Sequence, residues 1–409
     1  PVMPNMYWLA DTTYTTNHRF FVDGPMTYSD ICTASCADAA KAEWRTVLVG
    51  GLGAGGRGYY ALDVTDSSTP KLLWEFTSKD DADLGYAYGN PVIAKNSKGE
   101  WKVLLTSGYN NIRQGNGNPY DADGSGQGIL FILDPLLGPG SMRKVSTNSG
   151  STTSPSGLSK IMAWATDPKT DATALYVYGG DLNGDLWRFD INADKTKGET
   201  EVIRLAQLVD ASGKPQPITA RPELGLVNGA RMVYVGTGKY LEANDLDSEE
   251  FSTQTIYGLV DIDANAAAPY FKSGVSSIRS ALVKQTLASA KPVRTVTSNA
   301  VSIPTVKGWY VDLPDSGERV NVDLILANGT LLVASNVPTN GICEAGGYSW
   351  LNYFDYRTGS YVVGASNVAT WLGNDLTTGL NVAWIGGKPE VIRTGSGSAP
   401  SVNKNPQFG

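Results

Sequence analysis

Calcium takes several hard oxygens at about 2.3–2.6 Å, and alternating positions of a tight turn bring such oxygens to one point. The segment Asp121-Ala-Asp-Gly-Ser-Gly-Gln-Gly128 has that spacing. Asp121, Asp123 and Ser125 hold the first, third and fifth places of a calcium loop, Gly126 holds the sixth, where the chain must turn sharply, and Gln127 offers a carbonyl. The twelfth place is Ile132 and not the usual bidentate Glu. The expected cofactor is therefore Ca2+ on Asp121, Asp123, Ser125 and Gln127, against the alternative of a polar hairpin insertion with Asx turns. Asp181-Leu-Asn-Gly-Asp185 also looks like a short ligand set, but a tight Asn-Gly hairpin is the simpler reading. The acidic group Asp245, Asp247, Glu249, Glu250 reads as solvated loop.

Catalytic patterns are missing. There is no G-x-S-x-G, no H-E-x-x-H and no vicinal cysteine pair. One histidine, His18, rules out a multi-His metal site. The Gly-rich run Gly51-Leu-Gly-Ala-Gly-Gly-Arg-Gly58 is followed by Tyr59-Tyr-Ala-Leu-Asp63, a strand, whereas a dinucleotide fingerprint needs a helix there. No enzyme is expected. With 33 Lys+Arg against 40 Asp+Glu the net charge is −7, so the chain does not bind nucleic acid through phosphate neutralisation. Cys32 and Cys36, spaced C-x3-C, form a local disulfide or remain two thiols, and Cys343 stands apart.

The elements that position these residues are strands. Of 409 residues, 46 are Gly, and short β-branched and aromatic runs alternate with Gly, Asn, Asp and Pro. A unit recurs: a strand ending in Gly or Ser, a polar turn, then an aromatic strand ending in Asp. Examples are Thr46-Val-Leu-Val-Gly50 with Tyr59-Tyr-Ala-Leu-Asp63, and Tyr176-Val-Tyr-Gly179 with Leu186-Trp-Arg-Phe-Asp190. One hairpin cannot bury both faces, so units must stack. The fold class is all-β: an irregular, quinoprotein-like β-propeller of about seven blades with long loop insertions, against the alternative of paired β-sandwiches. Ser29 to Trp44, rich in Ala, reads as a short helix. Residues 1–409 read as a single domain with 386–409 as a flexible tail. No apolar run reaches membrane-helix length. The opening Pro-Val-Met-Pro lacks the form of a signal peptide, so the chain reads as part of a larger exported protein.

Several stretches, in order, resemble one family. Phe20-Phe-Val-Asp-Gly24 and the run from Trp44 to Val64 are similar to the C-terminal domain of the PilY1/PilC type IV pilus proteins. So are Gly180-Asp-Leu-Asn-Gly-Asp-Leu-Trp-Arg-Phe-Asp190, Gly236-Thr-Gly-Lys-Tyr-Leu241, Ile256-Tyr-Gly258, Gly308-Trp-Tyr-Val-Asp-Leu-Pro, Gly317-Glu-Arg-Val320 and the Cys343 segment. The resemblance implies a modified β-propeller at the C-terminus of a protein of the pilus tip, cell surface or outer membrane of a Gram-negative bacterium, with an N-terminal adhesive domain elsewhere. It implies pilus assembly, twitching motility and attachment. The implied partners are minor pilins, the assembly machinery and a host-cell receptor or surface. The family's calcium loop falls on residues 167–175. There Asp167 and Asp171 remain as a weaker alternative metal pair, while Lys169 and Leu175 take two ligand places, and a Lys ammonium opposes a cation. The competing readings are a quinoprotein-type (PQQ-dependent) dehydrogenase and a glycan-binding propeller.

Overall fold

A computed structural model describes residues 2–115, 121–165, 170–261, 278–339, 346–397, 399–403 and 408. Four of the Asp residues that end aromatic strands stop them by the same local chemistry. Asp63 accepts from Thr65 N at 3.0 Å, Asp134 from Leu136 N at 2.8 Å, Asp190 from Asn192 N at 2.9 Å and Asp355 from Arg357 N at 2.9 Å. These carboxylates occupy the first backbone donors beyond the strand and turn the chain.

Four consecutive strands make the first sheet: β1 (Met26–Ala34), β2 (Glu43–Gly51), β3 (Gly58–Asp63) and β4 (Lys71–Thr77), in that order and antiparallel. The next four, β5 (Val92–Lys95), β6 (Trp101–Thr106), β7 (Ile129–Asp134) and β8 (Gly138–Ser146), repeat the plan. A third sheet runs β12-β11-β10-β9, from β9 (Ile161–Ala165), β10 (Ala174–Gly180), β11 (Asp185–Phe189) and β12 (Val202–Gln207). The ten-stranded sheet begins with β13 (Glu223–Val227), β14 (Ala230–Gly236) and β15 (Thr255–Asp261). It continues through β16 (Val283–Ala290), β17 (Val293–Val296), β18 (Gly308–Asp312), β19 (Ile325–Ala327), β20 (Thr330–Pro338), β21 (Gly347–Asp355) and β22 (Ala369–Trp371). Its order, β13-β14-β15-β18-β16-β17-β22-β21-β20-β19, joins two antiparallel four-strand arrays through β16 and β17, and β16 pairs in parallel with β18. A three-stranded sheet of β23 (Thr377–Ile385), β24 (Lys388–Gly395) and β25 (Ser401–Asn403) follows.

These strands form two compact units: Pro1–Asp181 with Trp187–Ile203, and Leu182–Leu186 with Arg204–Gly409. Each unit builds its own core. In the first, Val47, Val49, Tyr59 and Phe76 pack against Val103, Leu105, Ile129 and Phe131. The other face of the second sheet, through Leu104, Leu130 and Ile132, packs against Ile161, Val177, Trp187 and Phe189. Strand β7 is thus covered on both sides, which explains an apolar run without alternation. Trp74 donates from Nε1 to Pro135 O at 2.8 Å, and a Cβ on Gly138 (φ +59°) would lie 2.4 Å from the Trp74 ring. Only glycine fits beneath that indole. The core of the second unit gathers Met232, Tyr234, Ile256, Trp309, Val311, Leu331, Val333 and Phe354.

Two expectations need correcting. Ser29 to Trp44 is not a helix: β1 runs to Ala34 and β2 starts at Glu43, with Asp30 paired to Thr46. Ser35 at φ 52° and the Cys32–Cys36 disulfide turn the chain between them. Tertiary pairing overrides the helix propensity of the alanines. Residues 386–409 are not wholly a tail, since β24 and β25 lie within them. Val391 is buried against Leu332, Leu351 and Tyr353, and this apolar anchor orders the segment. Among the described residues no helix is long and apolar enough to cross a membrane.

Candidate functional site

The Asp121 loop lies in the first unit, and its oxygens diverge. Asp121 accepts from the backbone N–H groups of Gln114 at 2.7 Å and Gly115 at 2.6 Å, with Arg57 Nη1 at 3.7 Å. The Gln114 N–H holds its carboxyl below the usual range despite partial desolvation. Asp123 pairs instead with Arg113 at 3.3 Å. Ser125 donates from N and Oγ to Asp83 Oδ1 at 2.7 and 2.6 Å, and Lys144 bridges Asp83 and Asp81 at 2.7 and 2.8 Å. Gln127 accepts at its carbonyl from Asn111 Nδ2 at 2.8 Å and at Oε1 from Ser146 Oγ at 2.7 Å. Gly126 sits at φ +74°, and a Cβ there would strike Ser151 O at 1.9 Å, so only glycine fits this close backbone approach. The donor set does not fit Ca2+: its carboxylates answer guanidinium groups and amides one by one. Among the described residues no group of three or more His, Cys, Asp or Glu converges as a metal site. Asp171 is held by Lys95 at 2.7 Å, and Asp167 lies outside the described residues.

The Asn-Gly hairpin reading of residues 181–185 describes the chain well, with Gly184 at φ +75° between β10 and β11. Asp181 is fully buried and accepts from Trp187 Nε1 at 2.9 Å. His18 rests between Tyr14 and Phe20 at 5.4 and 4.8 Å. Cys32 and Cys36 are joined as a disulfide, and Cys343 lies outside the described residues.

The features that do converge are in the second unit. Past the end of β14, Gly238 (φ +143°) has room for no side chain, because a Cβ would meet Arg319 Cβ at 2.5 Å. The backbone therefore runs against the segment Gly317-Glu-Arg-Val320, and Val320 N donates to Thr237 O at 2.9 Å. Arg319, only 6% exposed, donates from Nη1 to Lys239 O at 2.8 Å and Asp245 O at 2.6 Å, and from Nε to Gly317 O at 2.9 Å. Burial pushes its guanidinium below the usual value, with Asp245 opposing. Two short 3-10 turns, Ala243–Leu246 and Ser248–Glu250, carry the acidic residues. Asp245 closes the first by accepting from Leu241 N at 2.7 Å and Glu242 N at 3.1 Å. Burial works against the charge of Lys239. Glu242 at 2.7 Å and Asp245 at 3.0 Å outweigh it and hold the ammonium above its ordinary value.

These residues wall a cavity of about 590 Å³, within the range of small-molecule sites. Phe251, Pro215 and Pro217 add apolar surface, and Gln254 and Asp247 complete the polar lining. Behind the wall, Glu318 is fully buried. Both its oxygens take Arg294 at 2.7 and 2.9 Å, and Ser335 Oγ donates to the same carboxylate. Arg294 also reaches Asp315 at 2.9 Å and stacks on Trp350 at 3.9 Å. Asp245 and Asp247, which read in sequence as solvated loop, and Gln254 and Arg319, which carry no local mark, all line this cavity. The available signal was the pair of Gly-bounded segments at residues 236–241 and 317–320, which meet here.

Stacked four-stranded antiparallel sheets with Asp-terminated aromatic strands define a β-propeller-type protein. A model of the PilY1 β-propeller domain matches residues 2–299. The chain is 33% identical over 410 residues to a type IV pilus biogenesis factor PilY1 homolog of Xylella fastidiosa, covering 98% of this chain and 30% of that protein. It is 30% identical over 383 residues to the type IV pilus biogenesis factor PilY1 of Pseudomonas aeruginosa, covering 84% of this chain and 31% of that one. The crystal structure of the Pseudomonas aeruginosa PilY1 C-terminal domain superposes with TM-score 0.71 at 27% identity, covering 96% of this chain and 87% of that one. The chain belongs to the PilY1 β-propeller family. It spans about a third of the length of these curated relatives.

Proposed function

We propose that this chain is the propeller portion of a type IV pilus biogenesis factor, acting at the cell surface or pilus by association and not by catalysis. The observation that carries the reading is the similarity along 98% of the chain to a protein named for that role. In this reading the sheets form a rigid support, and the loops between strands meet minor pilins or the assembly machinery and take part in attachment and twitching. Long loops on a rigid scaffold are where such binding is placed. No step is routed through calcium, because the Asp121 loop spends its oxygens on protein donors. The test is deletion of the gene in its own bacterium, followed by counts of surface pili, twitching-zone diameter and adherent cells. Loss of pili restored by the full-length gene, but not by one lacking this region, is the expected outcome. Unchanged piliation, twitching and attachment would defeat the proposal.

A further inference from the structure

We propose that the cavity of the second unit is a carbohydrate site for a short neutral saccharide. The inference deepens the attachment side of the function proposed above and rests on it for its biological setting. Charge comes first. The wall sets Lys214, Lys239 and Arg319 against Glu242, Asp245 and Asp247, three cations and three anions, and the additional Glu318 is neutralised by Arg294. A wall without surplus charge does not select an ion. It offers donors and acceptors side by side, which suits a hydroxyl, since each sugar hydroxyl both donates and accepts. Hydrogen bonds from a hydroxyl to a carboxylate, or from a guanidinium or ammonium to a hydroxyl, are the stronger, charge-assisted kind.

A second observation is an unmet acceptor. Gln254 is 8% exposed, its Nε2 donates to Ser252 Oγ at 2.9 Å, and its Oε1 is buried without a partner. An unpaired buried acceptor costs about 1–3 kcal/mol. Gln254 lines the cavity, and its terminal amide torsion is broad, so the side chain can adjust to a donor at the cost of its contacts to Ser252. Asp247 stands at the rim, exposed, accepting only from Glu249 N at 3.1 Å among the described contacts. Phe251, its ring resting on Gly317, lines the cavity with Pro215 and Pro217 and offers C–H surface to the apolar face of a pyranose. A charged peptide side chain would meet like charge as well as unlike on this balanced wall, so charge gives it no advantage over a neutral ligand.

The test uses the intact chain and saturation-transfer NMR with glucose, galactose, mannose, N-acetylglucosamine and N-acetylgalactosamine, free and as oligosaccharides. At least one sugar should receive saturation. Its affinity should fall about tenfold or more in Asp247→Ala and in Gln254→Leu, the factor expected for one lost charge-assisted or buried hydrogen bond. Asp247 also caps the exposed Ser248–Glu250 turn, so the variant's melting temperature is measured beside its affinity, with binding read where both proteins are folded, to separate lost binding from lost folding. Transfer to oligosaccharides alone supports the site with a polymeric ligand. No transfer to any sugar, equal binding by the variants, or displacement of bound sugar by a lysine-containing tripeptide with higher affinity overturns it. Pili that depend on the gene, with no sugar bound, overturn only this inference. Sugar binding with normal pili overturns only the biogenesis reading.

Discussion

Arg294 shows what a single residue has to do in this fold. It is fully buried, and its guanidinium is shared by two carboxylates, Glu318 and Asp315. Asp315 is itself supported by Ser289 at 2.9 Å, Trp350 Nε1 at 3.0 Å and Tyr348 at 3.1 Å. Tyr348 is pushed up to about 12, by burial first and then by Asp315. Removing one partner from such a group leaves charge stranded in low dielectric. Arg294→Met is expected to cost about 3–5 kcal/mol, read as a fall in the urea midpoint. Arg294→Met with Glu318→Leu and Asp315→Leu together should recover most of that loss. If Arg294→Met unfolds at the parental midpoint, the network carries no stability.

At the scale of elements, the Asp121 loop carries its own prediction. Each of its carboxylates is matched to a guanidinium or to backbone N–H groups, so calorimetric titration of the metal-stripped chain with calcium should give no saturable heat from it. Asp121→Asn should lower the melting temperature equally with and without calcium. Saturable binding that Asp121→Asn abolishes would overturn this. The same loop marks the limit of sequence reading. Alternation of acidic and small residues is visible in sequence, but Arg57 and Asp83, which use those oxygens, are distant along the chain and bear no local mark. The strand repeat was readable because its signals are local: a glycine turn, an aromatic run and an Asp that caps its own neighbours. The Ala-rich stretch after Cys36 failed as a helix because the pairing that decides it, β1 with β2, is not a local property. The cavity was hidden for a similar reason. Lys239 and Arg319 are 80 residues apart, and only folding brings the carbonyl of one to the guanidinium of the other.

The whole molecule responds to acid through groups spread over both units. Asp83, Asp210 and Asp315 all sit below the usual carboxylate range. In each case burial opposes the charge, and hydrogen bonds and cations, from Lys144, Ser212 and Arg294 among others, outweigh it. A carboxyl depressed in the folded state contributes stability that is fully present above its unfolded value, about 3.9, and lost as pH falls through the folded value. Glu223 runs the other way: burial raises it, so it favours folding as it protonates. Depressed groups outnumber it, and the melting temperature should be level from about pH 7 to about pH 5 and fall steeply below about pH 4. Asp83→Asn with Asp315→Asn should flatten that fall while lowering the plateau. A melting temperature that rises on acidification would contradict the account.

The order of strands has a consequence for how the chain can be made. The first sheet needs nothing beyond Thr77 and the second nothing beyond Ser146, because each is built from strands consecutive in sequence. A polypeptide emerging N-terminus first from a ribosome or a translocation pore can close these sheets one after another, because every pairing is between strands that are neighbours in sequence, and even the long β6–β7 connection adds only slowly to the closure entropy. The ten-stranded sheet is different. Strand β17, in its middle, pairs with β22, so the sheet stays incomplete until Trp371 has appeared. Until then its apolar strands keep open edges, the places where pairing with another chain would begin.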